Sequence, residues 1–344
     1  MLRGVAPNSG DSGEQRLSGL PLLAAALGVV LAVQALFVLS YVGALHHPKP
    51  HDVAFGVVGN SRLPIAVGQQ FSLKVKPYPN EAAARSAIDH RKIDGAFVAD
   101  RGGGTLLVVP AASNAGATAL GTAFGAAAAA LEQKLTVVQV HTLPTGDAGG
   151  NVSFLVVMAL ILGGYLASTI GMVFGGSARR RGRLASLALA SVLGALLTDV
   201  FAGPVLDAVP TSKFLALYGL FVLVMTAVAY ATAALQTVLG PGGTLIVVVL
   251  FIVFGAPASG GTVPSAYLPS FWRTFGPYLP AGAGTTAVRN TLYFDANAIT
   301  KSLLILSGYL VAGALVVIVV RRRASGTTAE AEAEASTAAA AIVV

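Results

Sequence analysis

The chain is 344 residues long, 55% hydrophobic and only 11% charged, with a mean hydropathy of +0.74. Soluble domains carry roughly 25% charged residues, so ordinary water-soluble folds are excluded and part of the solvent must be lipid. The net charge of +7 is scattered rather than gathered into a basic face, which argues against nucleic acid. The absence of Cys removes disulfides, thiolate metal sites and thiol catalysis together.

The first predicted element is Leu20–Leu45, an uncharged run that follows a cytoplasmic N-terminal tail over residues 1–19. As a helix rising about 1.5 Å per residue it would cover roughly 39 Å, more than a hydrocarbon core of about 30 Å. A cleaved signal peptide has an apolar region of only about 7–15 residues, so a retained anchor is expected. Gln34, in the middle of this span, is placed to hydrogen-bond between helices.

Residues 46–150 differ in kind, because polar residues return and no run is long enough to span. Asp52–Val58 and Phe71–Lys76 read as strands, and Asn80 caps a helix with Ala84, Ala87 and Ile88 on one face. Gly95–Asp100 and Thr105–Val109 flank a glycine-rich turn. A helix over Asn114–Leu135 and a strand over Thr136–Leu143 complete a small α/β domain. His46, His47 and His51 cluster beside the first span, and a polar linker at the bilayer edge explains them more simply than a metal site; none is expected.

Five more spans follow: Val152–Phe174, Leu184–Val205, Phe214–Val238, Thr244–Phe254 and Thr300–Val320. The predicted fold is therefore an α-helical membrane protein of six transmembrane helices, with the α/β domain between the first and second. Gly164, Ser168, Gly171 and Gly175 give the second span a small-residue face suited to helix contact. Asp199, near one end of the third span, is either an intramembrane carboxylate or a residue in interfacial water, and the second reading is the simpler. The fifth span, Thr244–Phe254, looks too short to cross before Gly255-Ala-Pro257. The proline- and aromatic-rich stretch 259–298 after it is expected to dip into the bilayer or lie on its surface. Residues 321–344, low in complexity, are expected to be a disordered cytoplasmic tail.

Orientation follows from Lys and Arg in the short loops. With the N-terminus inside, nine arginines lie on the inner side (Arg3, Arg16, Arg179, Arg180, Arg181, Arg183 and Arg321–Arg323). Lys213, Arg273, Arg289 and Lys301 make only four outside. The positive-inside rule then puts both termini in the cytoplasm and residues 46–150 outside a bacterial inner membrane. The cluster Arg179, Arg180, Arg181 and Arg183 also suits anionic headgroups and a cytoplasmic partner. There is no GxxxxGK[ST] phosphate loop, no HExxH and no nucleophile elbow, so neither an enzyme nor a bound cofactor is expected.

One span, an extracytoplasmic domain and five further spans resemble the ABC type-2 permease superfamily, in its YhgE/Pip-like branch. The residues that carry the likeness are Asp52–Gly59 (DVAFGVVG), Glu81–Asp100 (EAAARSAIDHRKIDGAFVAD), Phe254–Pro280 and Arg289–Asp295 (RNTLYFD). The resemblance implies a homodimeric permease subunit that works with a separate ATPase chain and moves a substrate outward. It also implies a coupling loop between the second and third spans, at Gly175–Arg183. Such exporters often begin with an amphipathic helix, which Met1–Gly19 does not resemble. Spans so poor in charge suit an amphipathic or lipid-like substrate. The alternative class is a non-transporting membrane protein whose extracytoplasmic domain binds a cell-envelope or phage partner. Single cysteines test the orientation directly. One at Gly103 should react with an impermeant thiol reagent on intact cells and one at Ser177 should not; labelling at Ser177 from outside would reverse the topology.

Overall fold

The computed structural model describes residues 11–174 and 180–320. Residues 1–10, the segment 175–179 and the tail 321–344 lie outside the described residues. The first helix, α1 (Asp11–Leu45), begins well before Leu20 and thus takes in part of the segment read as a tail.

A five-stranded sheet follows, built from β1 (Val53–Val58), α2 (Leu63–Gln70), β2 (Leu73–Tyr78), α3 (Glu81–Asp89), β3 (Gly95–Asp100), β4 (Gly103–Val108), α4 (Asn114–Ala130) and β5 (Lys134–Gln139). Its order is β2-β1-β3-β4-β5, parallel except for the β3–β4 hairpin. Alternation along the strands sorts side chains into two cores. Val53, Phe55, Leu106 and Val108 pack with α2 and α4, whereas Ala54, Val58 and Leu107 face α3. Phe124 of α4 stacks on both Phe55 and Phe97, at 5.1 and 5.7 Å between ring centres.

Asn80 caps α3 by accepting from the Ala83 N–H at 2.9 Å, and Ala84, Ala87 and Ile88 are its buried residues, the face expected from spacing. Helix α2 has no counterpart in the sequence reading. Phe71, read as the start of a strand, instead closes α2 by bonding to the Val67 carbonyl. The last helix stops at Ala130, five residues early, because Glu132 turns left-handed (φ +52°) and Lys134 must pair with Gly103. Two glycines shape the hairpin: Gly102 has φ +84°, and a Cβ on Gly103 would sit 1.9 Å from the Lys134 carbonyl oxygen. Gly103 therefore cannot take a cysteine, and the exposed Arg101 beside it is the position for outside labelling.

The helical part comprises α5 (Val152–Phe174), α6 (Arg180–Val200, extended by a π turn over Phe201–Val205) and α7 (Phe214–Leu239). After these come α8 (Pro241–Val247), a π-helical stretch Val248–Phe254 and α9 (Gly255–Ala258). The last are α10 (Ser270–Phe275), α11 (Pro280–Tyr293) and α12 (Thr300–Val319). Among the described residues, six helices are long and apolar enough to cross a membrane. Helix α7 is the central one, packed on α5, α6, α11 and α12. Helix α1 stands at the side, touching the π-helical stretch and α9, and its Ser40 hydroxyl donates to the Val253 carbonyl at 2.6 Å.

Two findings revise the reading of the later spans. The fifth is not short, because the backbone stays helical through Gly255-Ala-Pro257 and the run extends over Pro241–Ala258. Pro257 has no N–H for the Val253 carbonyl four residues back, and the Ser40 hydroxyl donates to that carbonyl instead. The segment after it nevertheless goes deep. The Tyr309 hydroxyl donates to the Tyr278 carbonyl at 3.2 Å, and Tyr309 lies nine residues along α12, about 13 Å from its first residue. From that depth α11 climbs back toward the sheet, buried on nearly every side.

Sheet and bundle are joined by that returning segment. Tyr267 enters the core under α2 and α4, while Phe294 enters the core on the α3 face. Backbone bonds from Lys49 to Tyr267 (3.2 Å) and from His51 to Ala266 (2.8 Å) add a short ladder, and Lys213 pairs with Asp295 at 2.8 Å. Residues 48–146 expressed alone are expected to be soluble and to melt cooperatively. In the whole chain, Phe294→Ala should cost about 3–5 kcal/mol, since it empties a filled site. Denaturation in mild detergent measures this, and an unchanged midpoint would mean that the sheet domain does not depend on the plug.

Candidate functional site

The seam between sheet and bundle encloses a cavity of about 160 Å³. From the sheet side it receives the residues that end α3. Arg91 N–H bonds to the Ile88 carbonyl and Lys92 N–H to the Ala87 carbonyl, a Schellman closure with Arg91 in the left-handed position (φ +57°). Glycine is favoured there, and a side-chain-bearing residue costs about 1–2 kcal/mol. The guanidinium lies 4.6 Å from the centre of the Phe294 ring, and its Nη1 is 3.5 Å from Asp94 Oδ1. The first turn of α4 also lines the cavity, with the Ser113 hydroxyl oxygen accepting from the Gly116 N–H at 3.1 Å.

The bundle supplies Arg289 and Asn290 from α11 and Tyr267 from the loop before α10. Arg289 is buried, and its two terminal nitrogens donate to the carbonyls of Gly260 and Gly261 at 2.9 and 2.8 Å. Beside it Asp147, also buried, caps α5 by accepting from the N–H groups of Asn151 (2.8 Å) and Val152 (3.1 Å). Its other oxygen accepts from the Tyr293 hydroxyl at 2.5 Å. Burial, and then the charge of Arg91, pull the Arg289 guanidinium down to about 10, so it stays protonated at neutral pH. Burial also lowers Arg91, against the pull of Asp94. The Tyr267 hydroxyl is pushed up by burial first and by the Asp94 charge second.

Two polar groups at this cavity lack a hydrogen bond, although one of them, Arg91 Nη1, is ion-paired with Asp94. The Tyr267 hydroxyl and Arg91 Nη1 are buried and have no hydrogen-bond partner among the described residues. None of these residues was singled out as a site from sequence; Arg289 and Tyr267 entered only as a loop charge and an interfacial aromatic. The one local signal was an Arg where a helix-ending glycine belongs.

The residues that sequence did single out fall in three other places. Gln34 is exposed on the surface of α1. Gly164 lies where α5 meets α7, since a Cβ would be 2.6 Å from the Met225 carbonyl oxygen, whereas at Gly171 nothing lies within 4 Å. Ser168 is buried and donates to Gln236 Oε1 at 3.0 Å. Gly175 and Arg179 lie outside the described residues. Arg180 opens α6 and Arg181 is exposed. Arg183 turns inward, its Nη2 donating to the same Gln236 oxygen at 2.8 Å, while Gln236 Nε2 reaches Thr169 and Thr244. Arg183 is thus part of a polar knot tying α5 to α8.

Asp199 departs from its simpler reading: it is 1% exposed, with no hydrogen-bond partner for either carboxylate oxygen among the described residues. It sits just before the π turn that holds Pro204. A buried polar group left unpaired costs about 1–3 kcal/mol. Asp199→Leu is therefore expected to leave stability unchanged or raise it, measured by thermal unfolding in detergent. A clear loss would mean that the carboxylate has a partner in the assembled protein.

Comparison of the chain with known protein families, with curated proteins and with solved structures gives no match, so its function rests on its own residues.

Proposed function

We propose that this chain is a membrane permease subunit of the ABC type-2 kind, working as a homodimer with a separate ATPase and moving an amphipathic or lipid-like substrate outward. The observation that carries the reading is the arrangement of one lateral span, an inserted α/β domain, and a bundle entered from the domain side by α11, which packs on α5, α7 and α12. The sheet domain faces the outside on this reading, and the loop from α5 to α6 meets the ATPase in the cytoplasm, as the arginine count favours. A half-length helix such as α11 is tolerated at membrane depth only where protein surrounds it, and α11 is so surrounded.

The chain lacks the backbone cradle and Lys that hold nucleotide phosphates, so energy must come from a partner. A second reading, in which the outer domain binds an envelope or phage partner without transport, leans on the exposed apolar pair Ile65 and Val75 beside a groove at α2. Co-purification separates the two. The purified chain should hydrolyse no ATP, and an ATPase should accompany it from native membranes. Replacing Arg179, Arg180 and Arg181 with Gln, while sparing Arg183 because of its bond to Gln236, should abolish that association once cysteine labelling has confirmed normal insertion. If the triple variant inserts normally and keeps its ATPase, these arginines serve only the lipid.

A further inference from the structure

The seam cavity holds more positive charge than negative. Arg91 and Arg289 both line it, and the charge of Arg91 is felt at Arg289. Asp94 is the one carboxylate among its lining residues, and it stands 3.5 Å from Arg91, beyond good hydrogen-bonding range. The remaining donors come from separate directions. Arg91 ends α3, Tyr267 belongs to the loop before α10, and Ser113 caps α4, its hydroxyl hydrogen still available while its oxygen accepts from the Gly116 N–H.

The N-terminus of α4 brings about half a positive charge, although the N–H groups of Gly116 and Ala117 are already bonded to Ser113. Alone it would mean little. Here the Tyr267 hydroxyl, on a side chain only 7% exposed, has no hydrogen-bond partner among the described residues, and neither has Arg91 Nη1. Native proteins leave few such groups unpaired, and the missing acceptor at this site is one the chain does not supply. Arg289 is already committed to two carbonyls and acts as a fixed positive wall. A water needs roughly 10–15 Å³ of comparable space, so about 160 Å³ accommodates a phosphate-sized group.

We propose that this cavity binds a phosphate group, carried by a lipid headgroup or by a free solute, through Arg91 and the hydroxyls of Tyr267 and Ser113. Donors converging from three directions suit a tetrahedral oxyanion better than a planar carboxylate, and the guanidinium supplies a charge-assisted bond. Nothing in this inference requires that the chain transport anything, and it stands apart from the permease reading.

The test uses the full chain in dodecyl maltoside micelles, which contain no phosphate, with unfolding followed by the fluorescence of its single tryptophan. That residue, Trp272, packs with Leu268, next to Tyr267. One arm adds millimolar inorganic phosphate against sodium chloride of equal ionic strength. The other adds phosphatidic acid to the micelles and omits free phosphate. Binding to the folded state raises the melting temperature, so a rise in the first arm identifies a solute and a rise in the second a lipid. Arg91→Gln should weaken the apparent affinity about tenfold or more, and Tyr267→Phe roughly three- to tenfold. Tyr267→Phe should not lower the melting temperature without ligand, because the hydroxyl it removes has no partner. It therefore decides the matter alone if Arg91→Gln fails to fold. Loss of the shift in either variant supports the site. No rise in either arm, or a rise that every folded variant keeps in full, overturns it.

Discussion

The guanidinium of Arg289, set on the carbonyls of Gly260 and Gly261, is the contact on which the rest of the architecture turns. A chain leaving an apolar helix and running over the top of a bundle has carbonyls that neither water nor helix can satisfy, and each would be costly alone. One buried cation from α11 satisfies two of them. The loop is thereby held where its next residues, Ala266 and Tyr267, meet the backbone of His51 and Lys49. Asp147 does the corresponding work at the start of α5, and its bond from Tyr293 joins that helix to the end of α11. A positive and a negative residue, both buried, thus locate the sheet domain on the helices.

Much of the fold was legible because its signals are local. Uncharged runs mark the long helices, a short apolar run marks Phe55 and its neighbours, and Asn80 announces α3. Local signals failed where a long-range partner decides. Helix α2 is short and begins Leu63-Pro64, which no periodicity reveals, yet Leu63 and Val67 are pinned by the Phe55 and Phe124 core. Gly255-Ala-Pro257 spells a helix stop, but apolar packing carries the helix through it.

The cavity was illegible for the same reason. Arg91 and Asp94 look like a surface turn, Tyr267 like an interfacial aromatic and Arg289 like a topology charge. Each description is adequate until residues nearly two hundred positions apart are brought to one place. Among the residues named from sequence, Arg183 shows the converse. Adjacency grouped it with Arg179–Arg181, but a bond to Gln236 across 53 positions draws it into the bundle.

The two aromatic plugs limit how the sheet domain can move. Tyr267 enters on one face of the sheet and Phe294 on the other. With the backbone bonds of Lys49 and His51 lying beside the first plug, the least restrained motion is a rotation about the line that joins the two. That line runs through the sheet, so a turn around it swings the β2 and β5 edges in opposite senses while the centre stays in place. Both plugs come from the segment between Ala258 and Thr300, which also forms the deep hairpin. Any displacement of α11 within the bundle therefore tilts the axle itself, and the two sheet edges, farthest from it, travel the greatest distance.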